Sequence, residues 1–297
     1  MFRGTFAALV TPFCDGVIDY PALERLVEHV IGGGASGLVP CGTTGESPTL
    51  TDEEQRRIIE TVVKVAAGRV PVVAGTGSNC TERTLVASRA AVDAGADAVM
   101  LVAPYYNRPS QRGLLSHFGY VAARIDRPIV LYNIPGRCGV EIAHDTILQL
   151  REEHPNIVAV KHATGSIDGA SALKAASDVT ILSGDDTLTL PLMSVGAAGV
   201  ISVIANLLPS EATGLTDAAL AGDWGEAGRI HRHLFPLAKA LMTLDTNPVP
   251  IKTALALRGM MEESFRLPMC GMDGAARRRL ESMLSAWKPL KMKHQPA

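Results

Sequence analysis

The sequence predicts an α/β fold, a TIM (β/α)8 barrel carrying a C-terminal helical extension. Three observations lead there. Short, continuously apolar runs recur at even spacing over the first two-thirds of the chain, segments of helical period lie between them, and beyond Leu207-Leu208-Pro209 the strand-like runs stop. Continuous apolarity over four or five residues marks parallel strands buried on both faces, and its alternation with helices is the order of βα units. About eight such units, with no GxGxxG, favour a closed barrel over a doubly wound open sheet.

The strand candidates, in order, are Phe6–Val10, Gly37–Val39, Val70–Ala74, Ala98–Val102, Ile129–Tyr132, Ile157–Lys161, Thr180–Ser183 and Gly199–Ser202. Between them, Leu23, Leu26, Val27, Val30 and Ile31 make one helical stripe, and Ile58, Ile59, Val62, Val63 and Ala66 another. Thr51-Asp52-Glu53-Glu54 has the form of a capping box, Thr51 as N-cap and Glu54 reaching back. Gly33-Gly34-Ala35, Ala94-Gly95 and Ala198-Gly199 read as helix ends just before strands. Residues 1–208 form the predicted barrel. Residues 209–297 form the extension, with helices over Ser210–Ala221, Trp224–Leu244, Pro248–Met260 and Gly274–Trp287 and a polar, frayed end at Lys288–Ala297.

The 297 residues are 47% hydrophobic and 20% charged, as in an ordinary globular protein, and the formal net charge of -2 supplies no basic footprint for nucleic acid or a membrane surface. No apolar run approaches the ~20 residues of a membrane span, and Met1-Phe2-Arg3-Gly4-Thr5 does not begin a signal peptide. The five cysteines (Cys14, Cys41, Cys80, Cys138, Cys270) are scattered and odd in number, which suits reduced thiols in a cytoplasmic protein and no zinc site.

In a TIM barrel the chemistry sits at the C-terminal ends of the strands, and the suggestive residues fall there. Lys161 closes an apolar run. Burial beside that surface disfavours an ammonium and favours a neutral amine, a nucleophile suited to a carbonyl carbon. Burial by itself favours the blander reading, a lysine whose stem is covered and whose head snorkels or meets a carboxylate. The other lysines, Lys252 among them, lie in helix-like or tail sequence and suggest no chemistry. Gly42-Thr43-Thr44-Gly45-Glu46 offers hydroxyl and backbone donors to a small carboxylate, although a turn with solvated threonines explains the pentapeptide as well. Three of the five tyrosines, Tyr105, Tyr106 and Tyr132, stand at two strand ends, and Arg137 follows the second. Phenols relay protons, and a guanidinium clamps a carboxylate. Gathered at one mouth, these groups make a reacting amine the better reading of Lys161. Asp185-Asp186 suits a helix N-cap better than a metal, and His231-x-His233, at i,i+2 on a helix, shares no face.

The motifs Gly42-Thr43-Thr44-Gly45-Glu46-Ser47, Pro104-Tyr105-Tyr106-Asn107-Arg108-Pro109-Ser110, Tyr132-Asn133-Ile134-Pro135-Gly136-Arg137, Val160-Lys161-His162-Ala163-Thr164-Gly165, Gly184-Asp185-Asp186 and Asn247-Pro248-Val249-Pro250-Ile251-Lys252 together resemble the dihydrodipicolinate synthase family of pyruvate-dependent class I aldolases. The likeness runs from Gly4-Thr5 to about Gly271. It implies a pyruvate imine on Lys161, a proton shuttle through Tyr132, and Thr44 linking Tyr132 to a Tyr106 lent by the neighbouring subunit. It also implies a carboxylate site at Thr43 and Thr44 near Gly184 and Ile201, and aspartate semialdehyde held by Arg137. No metal or organic cofactor is implied, and the expected assembly is a homotetramer (dimer of dimers) or a dimer. Related aldolases and lyases of sugar acids are the alternative, separated by Arg137, whose cation suits a short carboxylated aldehyde. A noncatalytic keto-acid binder is a third, disfavoured because a binder needs no nucleophile.

His162 stands where many relatives carry an acid, and Cys138 where they often carry threonine. The candidate allosteric cleft keeps Ser47, Asn79 and Tyr105, but Asp52, Gln55 and Arg83 occupy its other positions. Arg83 in place of a carboxylate would repel a lysine ammonium by roughly 1–4 kcal/mol at close range, so weak or absent lysine inhibition is expected.

Overall fold

The structure is a computed structural model and describes residues 2–290. The barrel strands are β1 (Gly4–Ala8), β2 (Gly37–Val39), β3 (Val73–Gly75), β4 (Ala98–Val102), β5 (Ile129–Asn133), β6 (Ile157–His162), β7 (Thr180–Ser183) and β8 (Gly199–Ser202). They form one parallel sheet in sequential order, with β1 lying between β2 and β8. A single parallel bridge, Leu38 to Val72, joins β2 to β3 and closes the ring. The expected (β/α)8 barrel is therefore what the chain builds.

Two strands sit off their predicted positions for identifiable reasons. β3 begins after Pro71, which has no N–H to give the ladder and contributes only its carbonyl, to Leu38 N at 3.0 Å. β1 ends at Ala8 because Asn206 takes over its partners: Val10 N donates to Asn206 Oδ1 at 3.1 Å, and Asn206 Nδ2 donates to Ala8 O at 2.8 Å. Ala198-Gly199 does not end a helix either. The helix before it, Thr189–Ser194, gives way to Gly196 (φ 104°), and Gly199 instead lets β8 approach β1, where a Cβ would lie 2.0 Å from Gly4 O.

Helices α1 (Tyr20–Gly32), α2 (Asp52–Ala66), α3 (Thr81–Asp93), α4 (Gln111–Ala122), α5 (His144–Glu153), α6 (Ile167–Ala176) and α7 (Thr189–Ser194) alternate with the strands. The Thr51–Glu54 capping box is present in both directions, with bonds of 2.9 and 3.2 Å. α8 (Pro209–Leu220) packs on β1, where Thr5 Oγ1 donates to Ala212 O at 3.0 Å and lies 2.9 Å from Thr216 Oγ1. α9 (Trp224–Thr243), α10 (Val249–Leu257) and α11 (Gly274–Ala286) follow α8 in the extension. The polar end from residue 291 onward lies outside the described residues.

Two apolar layers follow from strand alternation. Phe6, Ala8, Val39, Val73, Ala98, Met100, Val130, Ala159, Leu182 and Ile201 fill the barrel interior. Leu101, Leu131, Val160 and Ile181 point outward into the larger core beneath the helices. Among the described residues, no helix is long and apolar enough to cross a membrane.

Candidate active site

Alternation decides where Lys161 points. Ala159 faces the barrel interior, Val160 the helices, Lys161 the interior again and His162 the outside. On the neighbouring strand Val130 and Tyr132 face inward, and the register places Tyr132 directly beside Lys161. The two are 4% and 5% exposed, and Lys161 Nζ lies 4.1 Å from the Tyr132 ring centroid. Among the described residues Lys161 makes no side-chain hydrogen bond and no ion pair to a carboxylate, its ammonium lying over the Tyr132 ring alone. Gly184, just past β7, leaves room for the lysine stem: a Cβ there would stand 3.2 Å from Lys161 Cε and 2.7 Å from Ala163 Cβ. Its N–H is engaged by His162 O at 2.8 Å, which ties this loop to β6. Ile201 lies in the same interior layer as Tyr132.

The threonine pair follows β2. Thr43–Gly45 is a tight 3-10 turn closed by Glu46 in a left-handed conformation (φ 53°), with Thr43 partly exposed and Thr44 buried. Thr44 Oγ1 accepts a hydrogen bond from Asn247 Nδ2 at 3.2 Å. Arg137 stands on a one-turn helix, Pro135–Cys138, and its Nη2 donates to the Asn247 carbonyl at 3.1 Å. Thr43, Ser47, Tyr105 and Arg137 line one cleft of about 340 Å³, which also takes in Asp52, Gln55 and Arg83. Asn79 lies next to it, its carbonyl accepting from Asn107 Nδ2 at 2.8 Å. Tyr106 is not part of this gathering. Its ring is 91% exposed on a residue held at φ 73°.

His162 and Cys138 are both buried beside the site. Burial pushes the His162 imidazole pKa down, and its Nε2 lies 2.8 Å from Ser166 O and 2.9 Å from Thr164 Oγ1, so the ring pins the loop outside the barrel. The Cys138 thiol is pushed up to about 11 by burial and is 3% exposed. Asp185 caps the turn that follows it, accepting from Thr187 N at 2.7 Å, while Asp186 accepts from Val203 N and Ile204 N, each at 2.9 Å. Among the described residues no cluster of three or more His, Cys, Asp or Glu could hold a metal.

Of the residues that sequence reasoning missed, two lie in the extension and one, Glu46, beside the threonine turn. Lys252, passed over as a helix lysine, is 0% exposed and more deeply buried than Lys161. Its ammonium pairs with the buried Glu46 carboxylate between the rings of Phe13 and Phe265. Burial pulls its pKa down, partly offset by Glu46. Asn247 and Glu46 went unassigned as well. One signal was available: Lys252 is the only charge in the apolar helix Val249–Leu257.

The dihydrodipicolinate synthetase family model matches residues 1–287. This chain belongs to that family. A 4-hydroxy-tetrahydrodipicolinate synthase of Pelobacter propionicus is 48% identical over 97% of this chain and 99% of its own. The crystal structure of dihydrodipicolinate synthase from Aquifex aeolicus matches with a TM-score of 0.94 at 47% identity, covering 96% of this chain and 97% of that one. The chloride-inhibited dihydrodipicolinate synthase of Acinetobacter baumannii, complexed with pyruvate, matches with a TM-score of 0.94 at 39% identity, covering 96% and 98%.

Proposed function

We propose that the chain is a lyase catalysing the 4-hydroxy-tetrahydrodipicolinate synthase reaction, the condensation of pyruvate with aspartate semialdehyde on the route to diaminopimelate and lysine. The observation that carries it is the buried Lys161 amine, without an ion pair, against the Tyr132 ring, on a barrel whose strand ends also open a cleft lined by Thr43 and Arg137. Lys161 attacks C2 of pyruvate and water leaves, giving an imine. Loss of a C3 proton makes the enamine, with the iminium as electron sink, so the reaction calls for no metal or organic cofactor. The enamine carbon attacks the aldehyde of aspartate semialdehyde. The substrate amine then closes on C2 and displaces Lys161.

Tyr132 shuttles the protons, and Thr44 links it to Tyr106 of a second copy. The exposed Tyr106 ring is suited to that loan because it has no place within its own chain. Thr43 and Thr44 receive the pyruvate carboxylate beside Gly184 and Ile201, and Arg137 receives the carboxylate of the aldehyde substrate. The working assembly is a dimer or a dimer of dimers, in the cytoplasm. The test is to incubate the protein with pyruvate, reduce with borohydride and map the adduct by mass spectrometry. An adduct on Lys161 followed by turnover with aspartate semialdehyde is expected. An unmodified Lys161 refutes imine catalysis, and turnover only with a sugar aldehyde refutes the substrate assignment.

A further inference from the structure

We propose that Asn247 is a positioning residue that sets the direction of the Thr44 hydroxyl and anchors Arg137, so that one residue of the extension prepares both the proton relay and the substrate clamp. It is 6% exposed and lies in the link between α9 and α10, 203 residues from Thr44 in sequence. Its side-chain Nδ2 donates to Thr44 Oγ1 at 3.2 Å, and its backbone carbonyl accepts from Arg137 Nη2 at 3.1 Å. Five residues on, Lys252 holds Glu46, the residue that closes the Thr43–Gly45 turn. The segment thus grips the turn at two points and the arginine at a third.

A hydroxyl has one proton and two lone pairs, and free rotation leaves its direction undetermined. An amide N–H donated to Thr44 Oγ1 occupies a lone pair, so the Thr44 proton must be directed at a different acceptor. In a relay that sense matters, because a hydroxyl turned the wrong way accepts where it should donate. Arg137 is exposed, and a long side chain held at one nitrogen loses less freedom when it meets a carboxylate.

The inference rests on the relay assigned to Thr44 above, and the test separates the two. Asn247→Ala removes the amide that meets Thr44 but keeps the backbone carbonyl that meets Arg137, so it is expected to lower kcat by about tenfold with KM for aspartate semialdehyde little changed, while the yield of borohydride-trapped pyruvate on Lys161 stays unchanged. In a Thr44→Val background the same substitution is expected to leave kcat where Thr44→Val alone put it. Asn247→Asp keeps the size but only accepts, so Thr44 must donate to it; kcat is expected to fall at least as far as in the alanine variant. A kcat loss of equal factor with and without Thr44, or an aspartate variant with unchanged kcat, overturns the positioning role. Full turnover by Thr44→Val alone overturns the relay instead.

Discussion

Among the described residues two lysines are buried, and their opposite surroundings yield opposite consequences for the same substitution. Lys252 is fully buried and paired with Glu46, whose side chain is 1% exposed. Lys252→Met keeps the volume of the side chain but strands a carboxylate among Phe13, Phe265 and the neighbouring core, a loss of about 3–5 kcal/mol. With an unfolding entropy of roughly 2.1 cal/mol/K per residue, a chain of 297 residues would melt about 5–8 °C lower. Glu46→Gln combined with Lys252→Met removes both charges and is expected to recover most of that loss. Lys161 has no partner to strand, and apolar atoms surround its stem. Lys161→Met is therefore expected to hold or raise the melting point while abolishing the pyruvate adduct. Calorimetry of the three variants beside the parent, with borohydride trapping on each, reads both effects. A Lys252→Met protein melting within about 1 °C of the parent, or a Lys161→Met protein falling as far as Lys252→Met, would refute the reasoning from partnership.

Arg137→Ala is expected to reduce kcat/KM for aspartate semialdehyde by about 10–100-fold with KM for pyruvate unchanged; an equal loss for both substrates would move Arg137 out of the clamp. Tyr106→Phe keeps the exposed ring but removes its hydroxyl, so turnover should drop sharply at unchanged melting temperature and assembly, as steady-state kinetics and sedimentation would show. Arg83 is exposed in the cleft and carries no ion pair among the described residues, so millimolar lysine should leave initial rates nearly untouched; inhibition at micromolar lysine would contradict the repulsion. Burial pushes His117 down to about 4 from 6.5, which means the fold favours its neutral form. The associated stability is fully present above pH 6.5 and is lost as pH falls toward 4, by up to about 3 kcal/mol. Urea unfolding at several pH values should show this slope, flattened in His117→Gln.

Much of the barrel was legible because its signals are local. Four or five apolar residues in a row, a capping box and helical stripes report burial through the residues themselves, and six of the eight strands fall within a residue of their predicted limits. The two that shifted did so through distant partners: Asn206 displaced the ladder at Val10, and Pro71 met Leu38 with a carbonyl alone. Lys161 and Tyr132 were legible for a related reason. Period-two alternation and position at a strand end suffice to aim both side chains into the barrel mouth.

What the sequence by itself determined, then, is the scaffold and the residue types at its rim. Only the tertiary structure decided which buried lysine is free and which is paired, because a partner such as Glu46 lies 206 residues from Lys252 along the chain. Only the tertiary structure, likewise, joined Thr44 and Arg137 through Asn247. Propensity and periodicity act over a few residues, whereas a hydrogen bond forms wherever folding brings donor and acceptor together. The extension looks in sequence like helices laid beside a finished barrel. In three dimensions it supplies the hydrogen bonds that hold Thr44 and Arg137 and the ion pair that holds Glu46.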